Sequence, residues 1–267
     1  MVLTLGTCML SGPFTNNWWE PRMFKLFKEL IDSVKEGMAE GRAELAQEAA
    51  EREAKLQETG AALDARLAAS SRFENFAVAL AAVYRETFAS DLREAEEARR
   101  SAVHLLCIGI ADKEIEPWKK LLDRDFSVTD GESAEATVAT IAGDLPSQPN
   151  DGDLALWIGR ASHLATGAAA VGHVEAHTAL AWLVPVVELA VERFSGWDDY
   201  ARNFLAGERD APGSNFVGRK LLASVTEKLL ENERSPWKTV AWPTRDELPA
   251  LLASRPAREN TAGLSPA

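Results

Sequence analysis

The chain has 267 residues, a formal net charge of −12 and a pI of about 4.9. That length is ample for a full hydrophobic core. The acidity excludes a protein whose main task is gripping nucleic acid, because phosphate binding needs a basic face; it suits plain solubility, the commoner reading, or a basic partner. Alanine, leucine and glutamate dominate, and long Val/Ile/Thr alternation is absent. The chain therefore reads as all-α, a multi-helix bundle with a long N-terminal helical arm. The two cysteines, Cys8 and Cys107, form no pairing or metal pattern, so a reducing cytoplasm is expected.

In chain order, the opening MVLTLGTCMLSG lacks the basic and apolar regions of a secretory or lipoprotein signal, and Thr7 precedes Cys8 where a small residue is needed. Trp18 and Trp19 are expected to pack on the domain. Glu20-Pro21 starts a helix to Val34, with Met23, Phe24, Phe27, Leu30, Ile31 and Val34 as its stripe. Residues 38–69 are rich in Ala, Glu and Arg. Met38, Leu45, Ala49, Leu56, Leu63 and Leu67 fall near one seam, which Arg52 and Thr59 break. This is either a solvated helix or a weak coiled-coil arm through which the chain forms a homodimer or binds a partner.

Phe73, Phe76, Ala77, Leu80, Val83, Tyr84 and Phe88 predict one amphipathic helix. Asp91 starts another, with Leu105, Leu106, Ile108 and Ile110 at its apolar end. Glu116-Pro117-Trp118 opens a short helix, Ser127 to Asp130 is a turn, and Glu132 to Ala142 is helical. The Pro/Asn-rich break at 143–152 is the candidate boundary between an N-terminal helical region, 1–150, and a C-terminal helical core, 151–267. The alternative is one continuous domain.

Asp151 and Asp153 mark the start of the central helix, with acceptors and negative charge at the positive end of the dipole. Leu154, Trp157, Ile158, Ala161, Leu164, Ala165 and Ala168 then recur at helical spacing, interrupted by Arg160 and His163. Gly159 and Gly167 each weaken a helix by roughly 1 kcal/mol against Ala, which predicts close helix contact there. Gly172 supplies a turn. A helix from His173 to Phe194 follows. Its apolar run Ala179 to Val187 is too short for a bilayer, which needs about 20 residues, and Pro185 kinks or restarts it. Trp197, Asp198, Asp199 and Tyr200 open a helix that stops at Gly207. A loop leads to an amphipathic helix from Phe216 to Leu230, and a Trp/Pro segment (Trp237, Trp242) lies across the core.

No Gly-x-Ser-x-Gly and no phosphate-binding loop is present, no Cys/His nucleophile arrangement is expected, and no cofactor is implied. His173 and His177 stand four apart, and with His163 or Glu175 they would make a weak metal site. Glu175 comes two residues after the first His, not directly after it as in zincins, so capping or surface roles are the commoner reading. Arg160 and Asp153 form a polar pair in an apolar setting: an ion pair fixing helix register, or an anion or carboxylate site.

The stretches GDLALWIGR, GHVEAH, ERFSGWDDYARNFLAGE and SPWKTVAW resemble a bacterial family catalogued as a domain of unknown function, DUF1266, over roughly residues 105–243. The matching positions are Trp157 and Arg160, Gly172 and His173, Trp197 and Tyr200, and Leu205 and Gly207. Ile158 stands where the family often has Asp. The resemblance implies an α-helical bacterial protein without an established catalytic role, some relatives of which neighbour toxin and secretion systems. The expectation is a non-enzymatic acidic binding protein: an immunity protein that neutralises a toxin, such as a type VI nuclease effector, by direct complex formation. Glu132, Glu135, Asp198, Asp199, Glu208 and Asp210 are its candidate contacts. A metal-dependent hydrolase using His163, His173 and His177, and a helical adaptor, are the alternatives.

Overall fold

The computed structural model describes residues 41–55, 57, 58, 61, 65, 68–88, 108–110, 112–212, 214–233 and 235–256. The expectations for Cys8, Trp18, Trp19, the helix at 20–34, the segment 91–107 and the tail past 256 lie outside these residues. Among the described residues there are helices and turns and no strand.

The chain divides into two compact units, Met1–Ala54 and Lys55–Ala267. In the first, residues 41–54 are helical and almost wholly exposed, Leu45 included. That is what an Ala/Glu/Arg sequence with a broken apolar seam should do.

The second unit runs through Arg72–Leu80 (α1), Ala82–Phe88 (α2), Asp112–Phe126 (α3), Gly131–Asp144 (α4), a 3-10 turn at Leu145–Ser147 and Asp151–Ala170 (α5). Ala176–Trp182 (α6), Val184–Arg193 (α7), Trp197–Asp210 (α8), Phe216–Glu231 (α9), Pro236–Thr239 (α10), a 3-10 turn at Arg245–Glu247 and Leu248–Ala253 (α11) complete it.

Everything is arranged about α5. Asn150 caps it, its side chain accepting from the Asp153 backbone N–H at 2.8 Å. The apolar residues expected to face the core do so, except Trp157, which is half-buried. Ala155, Ser162 and Thr166 on the other side are buried as well, because α5 packs against α1, α2, α3, α4, α6, α7 and α8. Its glycines sit where neighbours press closest. A Cβ on Gly159 would stand 3.0 Å from both Phe204 and the Tyr200 hydroxyl of α8, and one on Gly167 would stand 3.3 Å from Leu122 of α3. The helix ends in a Schellman turn: Gly172 takes φ +78°, and the His173 N–H bonds the Ala168 carbonyl at 2.9 Å.

Four expectations are corrected. The helix over 73–88 is two helices broken at Ala81, and it is buried nearly all round because Val78, Ala79, Ala81 and Ala82 are buried with the stripe. The helix expected from His173 starts only at Ala176; its restart at Val184, with Pro185 in the new first turn where its missing N–H is harmless, is one of the two outcomes expected there. The helix at Trp118 begins earlier, at Asp112, with Pro117 inside it. The segment 143–152 does not divide the described fold: Leu145 is buried and α4 packs on α5 across it.

An aromatic belt closes one end. Trp197 stacks on Trp237 at 5.6 Å and meets Trp242 edge-on at 4.7 Å, and Phe76 lies 5.1 Å from Trp242. Two polar tips of the belt reach the break between α1 and α2. Trp237 donates to the Ala79 carbonyl and the Tyr200 hydroxyl to the Leu80 carbonyl, both at 2.9 Å. These bonds satisfy backbone acceptors that the interrupted helix leaves buried.

Candidate functional site

Trp157, Arg160 and His163 follow one another at steps of three along α5. They open onto a cleft of about 460 Å³ that Tyr84 of α2 and Arg124, Asp125 and Phe126 of α3 complete. The Arg160 guanidinium lies over the Trp157 ring, 4.8 Å from its centroid, a cation–π contact. Its charge partner is Glu208 of α8, with Nη2 and Oε1 3.6 Å apart. Glu208 in turn accepts from the Tyr84 hydroxyl at 3.1 Å. Burial pushes the Tyr84 phenol well above its ordinary value, so it stays a donor.

His163 forms the floor. Its ring lies 5.1 Å from Tyr84, 5.3 Å from Trp118 and 6.4 Å from Phe126. Burial, reinforced by the positive charge of nearby Arg85, lowers its pKa to about 3. It is therefore a neutral imidazole at neutral pH. Arg85 is itself buried, its guanidinium 5.7 Å from the Trp118 ring centroid.

The expected pairing of Arg160 with Asp153 is corrected. Seven residues on α5 span about 10 Å, and Asp153 is instead bonded to the cap, accepting from the Asn150 side chain at 2.8 Å. Arg160 takes its partner from another helix. The residues of the alternative metal set lie apart. His163 is walled in by rings in the middle of α5, His173 lies in the turn after α5, and His177 lies on α6 beside Thr178, 3.1 Å from its hydroxyl. His173 and His177 therefore share no helix. Among the described residues no group of three His, Cys, Asp or Glu converges on a metal position.

The six acidic candidates separate. Glu132, Glu135, Asp198 and Asp210 are exposed, Asp210 being paired with Arg209 at 2.9 Å. Asp199 accepts from the backbone and hydroxyl of Ser195, at 3.0 and 3.1 Å, ahead of α8. Glu208 turns toward Arg160 and Tyr84 behind the cleft lining. Asp198 and Asp210 stand about 18 Å apart along α8, so the acids do not form one point of contact. Trp197 and Tyr200 belong to the aromatic belt; Trp197 donates to the Val240 carbonyl at 2.7 Å.

Tyr84, Arg85 and Phe126 were not singled out as site residues from the sequence. Tyr84 reads there as one more stripe position, and Arg85 follows a nearly unbroken apolar run, Phe76 to Tyr84. That run is the one signal available: it marks all-round burial, and hence an arginine carried into the interior.

Fold and cleft together define an all-helical protein wrapped about one buried helix, with a polar and aromatic cleft on that helix's flank. The chain belongs to the DUF1266 family, described as a protein of unknown function, whose model matches residues 19–242. The match is wider than the 105–243 that the motifs cover. No curated protein and no solved structure matches the chain. No described helix is long and apolar enough to cross a membrane.

Proposed function

We propose that the protein works by binding another protein, as a cytoplasmic inhibitor that neutralises a bacterial toxin such as a secreted nuclease effector of a type VI system. The observation that carries this reading is at the start of α9, where Phe216, Val217 and Leu221 are 65%, 74% and 48% exposed. The inward face of α9 is made by Val225, Thr226 and Leu229, one and two turns later. Contiguous apolar side chains held in water mark contact surfaces more often than they mark chance. Exposed Asp210 lies just upstream of the patch, and the chain carries −12 overall. Arg219 and Lys220 are exposed within the patch and Asp210 is paired with Arg209, so the patch supplies the apolar contact and the net charge of −12 the attraction for a basic partner. Nucleases, basic around the substrate groove, are of that kind, and Glu132, Glu135 and Asp198 add long-range attraction.

The test is co-expression of the full chain with the toxin-like product of the adjacent gene, reading growth and stoichiometric co-purification. Rescue with a complex that Val217→Asp abolishes supports the proposal. No complex, or a complex indifferent to Val217→Asp and Leu221→Asp, overturns it.

The exposed helix at 41–54 favours a second reading, self-association or an adaptor role through residues 38–69. A solution mass of 29.1 kDa, unchanged with concentration, discards self-association.

A further inference from the structure

We propose that the cleft on the flank of α5 is a binding site for a small aromatic carboxylate. Arg160 takes the carboxylate, and Trp157, Phe126 and Tyr84 wall the ring. Arg160 also borders a second cavity that Glu208 shares with Gly218, Arg219 and Leu222 of α9, but the proposal does not rest on the docking proposed at the start of α9.

The cleft's volume, about 460 Å³, lies within the range of small-molecule sites, roughly 300–1,000 Å³. Its composition is of that type as well: aromatic walls and a few convergent polar groups. Arg160 is presented, not buried. Its side chain is 27% exposed, and its guanidinium lies over Trp157, 4.8 Å from the ring centroid, at the lining of the cleft. Glu208 sits 3.6 Å away, well beyond the roughly 2.7–2.9 Å of a charge-assisted hydrogen bond, so that pair is no bidentate clamp. A guanidinium carries five donors in a fork that matches a carboxylate.

The charges around the cleft choose the sign of the ligand. Arg124 and Asp125 bond each other through two contacts at the exposed rim and cancel. The floor His163 is neutral. Arg85 adds positive potential from beneath, as its effect on His163 records. A cation seeking the aromatic walls would meet Arg160 already on the Trp157 face. An anion meets an arginine whose partner acid, Glu208, is shared with the Tyr84 hydroxyl, while Asp125 of the lining is held by Arg124. The walls add selectivity for a flat apolar body, since rings pack well edge-on or offset against Tyr84, Phe126 and Trp157.

The competition with Glu208 gives the proposal its sharpest consequence. A bound carboxylate shares Arg160 with Glu208, so removing the Glu208 charge strengthens binding while removing Arg160 abolishes it. A residue that merely holds the fold would not produce opposite effects of this kind.

The experiment is isothermal titration calorimetry on the full chain with 3-phenylpropionate and indole-3-acetate, and with 3-phenylpropan-1-ol as the uncharged control. Both carboxylates are expected to bind at least about tenfold more tightly than the alcohol, a factor worth roughly 1.4 kcal/mol. Arg160→Met should remove that advantage, Glu208→Gln should enlarge it, and Val217→Asp should leave it unchanged. Circular dichroism checks that each variant is folded. If Arg160→Met does not fold, Arg160→Lys and Glu208→Gln carry the test: Arg160→Lys should weaken binding and Glu208→Gln should tighten it. No heat from either carboxylate at millimolar concentration overturns the proposal. So does equal affinity for the alcohol, or a Glu208→Gln variant that binds no more tightly than the parent.

Discussion

Gly207 of α8 meets Gly152 of α5 backbone to backbone, so that a Cβ on Gly207 would run into the Gly152 carbonyl oxygen. Together with Gly159 under Tyr200 and Phe204, this contact lets the two helices lie closely against each other, antiparallel, over most of the length of α8.

Because the obstacle at Gly207 is main chain, no side chain can swing aside to relieve it. Gly207→Ala is expected to cost about 3 kcal/mol or more, at the top of the overpacking range. Gly159→Ala meets only the Phe204 ring and the Tyr200 hydroxyl and should cost about 1–2 kcal/mol. Gly143, near the end of α4, has nothing within 4 Å of an added Cβ, so Gly143→Ala should stabilise by roughly 0.5–1 kcal/mol. Urea unfolding midpoints rank the three, and any other order contradicts the packing described.

The break at Ala81 depends on donors from far along the chain. Tyr200→Phe keeps the ring contacts and Trp237→Phe trims the indole to one ring; each leaves the Leu80 or Ala79 carbonyl short of a partner. Each should cost about 1–3 kcal/mol. Chemical denaturation measures it; a change near zero for both would mean these bonds do not hold the break.

His163 predicts a pH dependence of stability. Its pKa falls from an ordinary 6.5 to about 3 on folding. Between those values the unfolded chain binds a proton that the folded chain refuses. Stability should therefore fall as pH drops through this window, by up to about 1.4 kcal/mol per pH unit, and this contribution should level off below pH 3. His163→Phe removes the titrating group, so that variant should lose less stability between pH 7 and pH 5 than the parent. Equal losses would show that His163 charges freely in the folded state.

Val217 touches little, so Val217→Asp should leave the unfolding midpoint within about 0.5 kcal/mol of the parent. A larger loss would place the side chain in the core and remove its value as a reporter of partner binding.

Periodicity and composition suffice for the parts of this fold that are local. The all-helical class follows from Ala, Leu and Glu without β alternation. The start of α5 at the acidic Asp151 to Asp153, the turn at Gly172, the restart at Pro185 and the close contacts at Gly159 and Gly167 each rest on one residue's own stereochemistry. The cleft does not. Nothing along α5 says that Arg160 turns from Asp153, on its own helix, to Glu208, 48 positions later, or that Tyr84 and Phe126 come from two other helices to face Trp157. Nor does helical spacing reveal that the apolar start of α9 points to water. Those relationships depend on which helix faces which, and that is decided by the summed packing of seven helices around α5, where side chains distant in sequence compete for the same space.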